Sequence, residues 1–474
     1  MYGRRGVLQR AEVILTAREA AFSALEEYRK GRPADEAIYH VQTRSGMSGR
    51  DVALAVRLIK GVLQNMSLLD YYAAFFSSVD VKRIEPRALG ILRMSIYQLV
   101  FLTKIPGNAA VNEGVELAKK IMGKRGAGFV NAVLRKAANA AENGSFPEIT
   151  GDSLKSISIK YSHPEWLVKE FETLIGREGL VSLLKANNES DVPITAQVNT
   201  LLTDIESVLA MLKEDGLEAV RHEWLDGCVQ FKGTGAFDRT EVFKKGYIYI
   251  QDVAARLAVM AASPEPGDLV VDGCAAPGGK SFAAAIMMKN QGRILAMDIN
   301  ADRLRLVDDG ARRLKIDIIE AIVKDAASGI NGDYGDNTGI EPRADSINAI
   351  ERTADVVFAD VPCSGFGVIR KKPDIRYKSK REIANLPEIQ SKILESLSMY
   401  VKPGGVLIYS TCTVLKQENE SVIDGFLRKN NCFATEGFNL PGLGGVQNGS
   451  LTLWPHIHGT DGFFICKLRR NNSI

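Results

Sequence analysis

The residues of this chain best placed to do chemistry are two cysteines and the acid just before one of them. Ala354–Asp360 (ADVVFAD) is short, apolar and β-branched, and it ends on Asp360, with Val361-Pro362-Cys363-Ser364-Gly365 following at once. About 50 residues later Gly405–Ser410 (GVLIYS) runs into Thr411-Cys412-Thr413. Runs like these read as buried parallel strands, and open α/β sheets bind ligands at strand carboxyl ends. Two strands of one sheet would then bring Cys363 and Cys412 to the same edge, where thiol chemistry can meet a bound substrate. One strand-end cysteine alone reads as core filling, since free cysteine is among the most buried residue types. Two, each beside polar residues, point to a site.

The elements needed to position that pair are legible around it. From Tyr247 onward strands and helices alternate, which means βαβ units and a parallel sheet. Leu269–Asp272, Arg293–Asp298 and Ile318–Asp325 read as strands, with Ser281–Lys289 and Ala301–Leu314 as their helices. Arg381–Tyr400 separates the two cysteine strands, Gln417–Lys429 covers the sheet, and Gly462–Leu468 closes it. Ser328–Thr353, rich in Gly, Asp and Asn, reads as a long mobile surface loop.

Between the first strand and its helix lies Asp272-Gly273-Cys274-Ala275-Ala276-Pro277-Gly278-Gly279-Lys280-Ser281. Small residues there let backbone approach a ligand, and the helix N-terminus offers free N–H groups. A Walker A loop fails because Cys274 stands where its first glycine belongs, and G-x-G-x-x-G is absent. What remains is a glycine-rich loop with acids after successive strands: Asp298, Asp325 and Asp360. That set suits a nucleoside cofactor without a diphosphate, and S-adenosylmethionine fits better than NAD or ATP.

Further upstream the chain changes character twice. Residues 1–141 read as helical, with amphipathic stripes at Val13–Arg29, Val52–Leu63, Leu68–Phe76, Pro86–Leu102, Ala110–Ile121 and Phe129–Lys136. Ala138–Gly151 reads as a linker, and 152–246 as a small α+β module with strands at Ile194–Asn199 and Cys228–Lys232. The domain of the two cysteines is 247–474. Residues 1–140 hold 22 Lys and Arg against 12 Asp and Glu, though the whole chain carries only +3, so its front is a footprint for a polyanion. The basic turn around Lys124 and Arg125 could meet phosphate or simply be solvated. The same two readings apply to Arg370, Lys371, Lys372 and Arg376, just beyond the Cys363 loop.

Composition sets the remaining bounds. With 45% hydrophobic and 25% charged residues the chain is of globular type. No apolar run approaches bilayer length and no secretory signal follows the basic start. The six cysteines are scattered, without C-x-x-C or His/Cys spacing for zinc, which points to reduced thiols in the cytoplasm and no metal. Cys228, Cys432 and Cys466 read as core, and His456-x-His458 as structural or at an RNA edge. A monomer is expected.

Four stretches then carry a resemblance. DGCAAPGGKS, FADVPCSGFGVIRKKPDIR, YSTCTVLKQENE and HGTDGFFICKL resemble the RNA 5-methylcytosine methyltransferases. EPRALGILRMSIYQLVFL and FVNAVLRKA resemble the NusB-type RNA-binding domain, a fusion that resembles the bacterial 16S rRNA cytosine-5 methyltransferase B family. The resemblance implies an all-α NusB-like bundle, the α+β module and a Rossmann-like S-adenosylmethionine-dependent domain. It implies Cys412 as nucleophile on carbon 6 of cytosine, Cys363 as the group that takes or relays the carbon-5 proton, and Asp360 at ring nitrogen 3. Cys274, Ala275, Ala276, Pro277, Gly278, Gly279 and Lys280, with Asp298, Asp325 and Asp360, would bind cofactor, and Lys280 stays open between cofactor and base. The target base must be unstacked to be reached. The partner would be 16S rRNA. The alternatives are the same chemistry on tRNA, a non-catalytic RNA-binding assembly factor and, third, a dehydrogenase.

Overall fold

A computed structural model describes residues 15–43, 46–190, 192–231, 237–329 and 351–472. It divides into two compact units, Met1–Thr173 with Lys372–Asp374, and Leu174–Lys371 with Ile375–Ile474.

The first unit is helical: α1 (Ala17–Arg29), α2 (Ala34–Thr43), α3 (Gly49–Gln64), α4 (Met66–Phe76), α5 (Pro86–Phe101), α6 (Gly107–Glu142) and α7 (Leu154–Tyr161). Sequence sets the ends. Thr16 and Glu19 form a reciprocal capping box at the start of α1, which satisfies two otherwise orphaned backbone donors. Pro86 stands in the first turn of α5, where its missing N–H costs nothing. Ala20 and Ala21 of α1, Leu58 and Ile59 of α3, Ile91 and Leu92 of α5, and Leu134 of α6 close one apolar core. Two expectations change here. The linker expected from Ala138 is still helix to Glu142, because Ala140 is buried against the bundle. The Gly123–Gly126 turn reduces to a break at Gly123, so Lys124 and Arg125 sit exposed on resumed helix.

The second unit opens with most of α8 (Glu165–Asn187, broken at Gly176) and a four-stranded antiparallel sheet. Its elements are β1 (Ile194–Val198), α9 (Ile205–Glu214), β2 (Ala219–Arg221), β3 (Cys228–Phe231), α10 (Glu241–Lys244) and β4 (Ile248–Ile250), in strand order β2-β3-β1-β4. Lys232, expected to end β3, lies outside the described residues.

After α11 (Val253–Ala262) come β5 (Leu269–Asp272), α12 (Gly279–Met287), β6 (Arg293–Asp298), α13 (Ala301–Leu314) and β7 (Ile319–Val323). Then follow β8 (Ala354–Asp360), α14 (Lys380–Ile383), α15 (Leu386–Ser398), β9 (Val401–Thr411) and α16 (Glu420–Lys429). Short β10 (Phe433–Thr435), β11 (Phe438–Leu440), β12 (Gly444–Val446) and β13 (Ser450–Leu453) lead through α17 (Pro455–His458) to β14 (Phe463–Arg470). The sheet order is β10-β14-β9-β8-β5-β6-β7, with β13 also on β14. Both faces are covered: Val270, Phe358 and Ile408 pack with α11–α13, while Val271, Val357 and Leu407 pack with α15 and α16. Burial on both sides is why these strands read as unbroken apolar runs.

The expected parallel sheet is a mixed one. β5 to β9 are parallel, but β14 runs antiparallel to β9, and β10 and β13 to β14. The chain winds outward from β5 through β6 and β7, then returns to β8 on the other side, so a topological switch point opens between β5 and β8. Residues 330–350 of the expected mobile loop lie outside the described residues.

Candidate active site

The switch point collects Cys363, Cys412, Asp360 and the Cys274–Lys280 loop, while Asp325 lies out beyond β7. β5 ends on buried Asp272, whose Oδ2 accepts the Ser281 hydroxyl at 2.7 Å; burial pushes its carboxyl up to about 6. The loop to α12 then turns at Gly278, whose φ is +109° and where a Cβ would land 2.4 Å from the Phe282 ring, so only glycine fits. Asp298, at the end of β6, holds this loop from the side. Its Oδ2 accepts the Ala276 N–H at 3.2 Å and its Oδ1 the Asn300 N–H at 2.9 Å. Burial drives the Cys274 thiol well up, which keeps it protonated. Asp325 is exposed beyond β7 and accepts the Ala327 N–H at 2.9 Å. A cleft of about 610 Å³ runs along Cys274–Pro277, Gly279 and Lys280 to Asp360.

Asp360 closes β8 one loop away. Its Oδ1 accepts the Ser410 hydroxyl at 2.7 Å, and its Oδ2 lies 2.5 Å from Lys280 Nζ. Beyond it the two sulfurs of Cys363 and Cys412 are 3.2 Å apart. Both thiols are partly exposed and their ionisation is split. The hydrogen bond from Cys363 lowers Cys412, against burial and Asp360, with Lys280 helping. That hydrogen bond and burial together drive Cys363 well above the ordinary thiol range. The pair therefore keeps the proton on Cys363 and makes Cys412 the more acidic thiol, the one biased toward the nucleophilic thiolate.

Backbone fixes this distance. The Gly367 N–H donates to Cys412 O at 2.9 Å, and the Gly462 N–H to Gly367 O at 2.8 Å. A Cβ on Gly367 would lie 1.8 Å from Gly462 O, so a side chain there would push the loops apart. A buried carboxylate that the sequence reading passed over ties the same loops. Glu418 accepts the Ser364 N–H and the Gln390 amide, each at 2.9 Å. Asn419 bridges Thr411 and Thr413 on either side of Cys412. Both sit in the ENE that follows the second cysteine motif, but polar residues at a helix start read as solvated until burial is known.

The basic residues after Cys363 fare differently. Arg376 is 0% exposed and donates to Asn188 Oδ1 at 2.7 Å and Asn187 O at 3.3 Å, so no phosphate can reach it. Arg370 is buried against Asp461 at 2.9 Å, and Lys371 sits between Asp252 at 2.5 Å and Asp461 at 2.7 Å. These are internal ion pairs, a correction to the RNA reading of all three. Lys372 is exposed in the first unit, 2.5 Å from Asp35. Cys228 and Cys466 are buried, and Cys432 is partly exposed. His458 Nδ1 accepts the Trp454 N–H at 2.8 Å. Among the described residues no three His, Cys, Asp or Glu side chains group as a metal site, and no single helix is long and apolar enough to cross a membrane.

Known proteins place this arrangement. Residues 15–139 match the NusB family, 163–238 a ferredoxin-like domain of RsmF/B-like methyltransferases, and 259–469 the family 16S rRNA methyltransferase RsmB/F. The probable ribosomal RNA small subunit methyltransferase B of Bacillus subtilis (strain 168) is 36% identical over 90% of this chain and 92% of its own length. The Synechocystis protein of the same name is 31% identical over 96% and 100%. The crystal structure of PH0851 matches with a TM-score of 0.78 at 27% identity, over 96% of this chain and 98% of its own. With a NusB-like bundle, a ferredoxin-like module and a Rossmann-like methyltransferase domain in that order, the chain belongs to the RsmB/F family of 16S rRNA methyltransferases.

Proposed function

We propose that the protein methylates carbon 5 of a cytosine in 16S rRNA, with S-adenosylmethionine as donor, through a covalent bond between Cys412 and the base. The observation that carries this reading is the split thiol pair, 3.2 Å between sulfurs, beside Asp360. Carbon 5 of cytosine is a poor nucleophile, and covalent addition divides one hard step into two easier ones. Cys412 Sγ adds to carbon 6 while a proton settles on ring nitrogen 3, favoured by a hydrogen bond to Asp360, and carbon 5 becomes the nucleophilic end of an enamine. Once carbon 5 carries the donated methyl group, and with Cys412 bonded to carbon 6, the hydrogen bond that raised Cys363 is gone, so Cys363 can shed its proton to solvent and take the one left on carbon 5. The carbon 6–sulfur bond then breaks and Cys412 leaves as thiolate.

S-adenosylmethionine would supply an electrophilic methyl group on a sulfonium. The donor set suits it: carboxylates at Asp298, Asp325 and Asp360 for ribose, base edge and cationic sulfur, with small residues from Cys274 to Gly279 admitting the ligand. Lys280 lies between that loop and Asp360 and orients the carboxylate toward the base. Boundaries at 1–141, 152–246 and 247–474, for a cytoplasmic monomer, complete the reading, and the three family matches support that division.

The test uses tritiated S-adenosylmethionine and protein-free small-subunit rRNA. Wild type should label the RNA and Cys412→Ala should not, while Cys363→Ala should leave a protein–RNA adduct that survives denaturation. Label with Cys412→Ala present would overturn the assignment of the nucleophile. Label in tRNA but not rRNA would move the substrate and keep the chemistry.

A further inference from the structure

Cys363 and Cys412 act in different steps of the proposed reaction, and different residues hold them. Glu418 and Asn419 are adjacent and buried, they lead into α16, and each side chain serves one cysteine loop. Glu418 Oε2 accepts the Ser364 N–H, just after Cys363. The Gln390 amide of α15 donates to that same Oε2 and, just before Cys363, to Pro362 O at 3.0 Å. Both peptides flanking Cys363 are thereby fixed to one carboxylate. Asn419 reaches the other loop: its Oδ1 accepts the Thr411 hydroxyl at 2.6 Å and its Nδ2 donates to Thr413 O at 3.0 Å, so it spans Cys412.

The loops stay joined without either clamp, through Ser364 Oγ and Thr413 Oγ1 at 2.8 Å and through the Gly367 N–H on Cys412 O. Removing the Glu418 carboxylate leaves the buried Ser364 N–H without its acceptor, and the peptide turns to find another. That turn swings Cys363, while Asn419 still holds Cys412. An amide at position 418 would hold the loop equally well. Its oxygen takes the place of Oε2, and its NH₂ the place of Oε1, which has no hydrogen-bond partner among the described residues.

We infer that Glu418 and Asn419 divide the work of positioning: Glu418, with Gln390, sets Cys363 for release of the methylated base, and Asn419 sets Cys412 for addition. Both are positioning residues, which act through a cysteine loop and not on the base. The inference rests on the cytosine-methylation reading above.

The test follows tritium from S-adenosylmethionine into two products after a denaturing quench: methylated RNA still bonded to protein, and methylated RNA set free. Slow release raises the ratio of the first to the second, whereas loss of folded protein lowers both and leaves the ratio alone. Glu418→Ala should raise the ratio roughly 10-fold, since misplacing a reacting group by about 1 Å can cost as much as 10²-fold. Glu418→Gln should restore the wild-type ratio. Asn419→Ala should lower both products roughly 10-fold per folded molecule, counted by circular dichroism, at an unchanged ratio. Gln390→Met and Thr411→Val, close to the native side chains in volume, read the same split if an alanine variant does not fold. An unchanged ratio in Glu418→Ala and Gln390→Met, beside a Cys363→Ala chain that does accumulate adduct, overturns the inference and leaves the methylation reading standing. So does a raised ratio, or undiminished output, in Asn419→Ala and Thr411→Val. Glu418→Gln that behaves as Glu418→Ala gives the effect to the charge and overturns the positioning role. Wild type that labels no RNA sinks the methylation reading, and this inference with it.

Discussion

Two lysine–carboxylate contacts lie at the carboxyl-end side of the sheet, one between the first turn of α12 and the end of β8 and one on the loops around it, and they are built to different purposes. Lys280 meets one carboxylate, Asp360, whose side chain is 30% exposed and faces the cleft. Lys371 meets two, Asp252 and Asp461, and Arg370 saturates the second. Burial opposes the charge on Asp252, but Lys371 wins and holds that carboxyl down, whereas burial pushes Asp461 up to about 6. The four charges join the start of α11, the loop after Cys363 and the turn before β14. Paired charge at a sheet edge is therefore no mark of function by itself. What separates the two is whether a ligand could take over one partner's hydrogen bonds.

The sharpest way to break this comparison is to remove the acid from each. Asp360→Asn should lower kcat for methyl transfer by roughly 10²- to 10⁴-fold, the range for losing a positioned acid–base group, while stability changes by only ~1 kcal/mol because the carboxamide oxygen still accepts from the buried Lys280. Tritium transfer and thermal unfolding read the two effects separately. Asp461→Ala should do the reverse, costing ~3–5 kcal/mol of stability because the buried Arg370 loses its carboxylate and Lys371 keeps only Asp252. Chemical denaturation measures it. If both variants lose stability and activity in the same proportion, the distinction between a poised pair and a clamp is wrong.

The same contrast explains what was legible in sequence. β5, β6, β8 and α13 were read to the residue, because apolar runs ending on an acid and a clean helical stripe admit few other meanings. α11 was missed, since VAARLAVMAA is nearly all apolar and carries no period. The antiparallel end was missed because β10 and β13 are three and four residues long. The two cysteines and their acid were singled out by position, at strand ends, and the structure brings them close together. Arg370, Lys371 and Arg376 were misread for the opposite reason: a basic run looks the same whether it faces phosphate or acids far away in sequence, and Asp461 stands 91 residues from Arg370.

A smaller effect tests the thiol pair against the charge beside it. Adduct formation by Cys363→Ala should rise only at a pH above the ordinary thiol range, because the donor that lowers Cys412 is gone while burial and Asp360 still raise it. Cys363→Ser keeps a donor and should show its midpoint at lower pH than Cys363→Ala. Identical midpoints in the two variants would assign the Cys412 thiolate to Lys280 instead of Cys363.

A third acid with two cations, out toward solvent, provides the control for both inner clusters. Glu436 pairs with Lys467 at 2.9 Å and with both arms of the Arg469 guanidinium, one of them at 2.6 Å, and Arg469 chiefly holds its carboxyl down at about 2. An unfolded glutamate titrates near 4.3, so the folded chain binds this proton less readily. Its stabilisation is therefore present above about pH 4.3 and is lost as pH falls toward 2. Glu436 and Arg469 are about a third or more exposed while Lys467 is 10% exposed, and screening on the open side reduces the worth of the cluster to ~1 kcal/mol. Glu436→Gln should lower stability by that amount at pH 7, by less as pH falls below 4, and by less in high salt. Unfolding of the two chains compared across pH checks it. A loss as large as that of Asp461→Ala would mean that burial does not set the strength of these clusters, and the contrast between clamp and poised pair would need another cause.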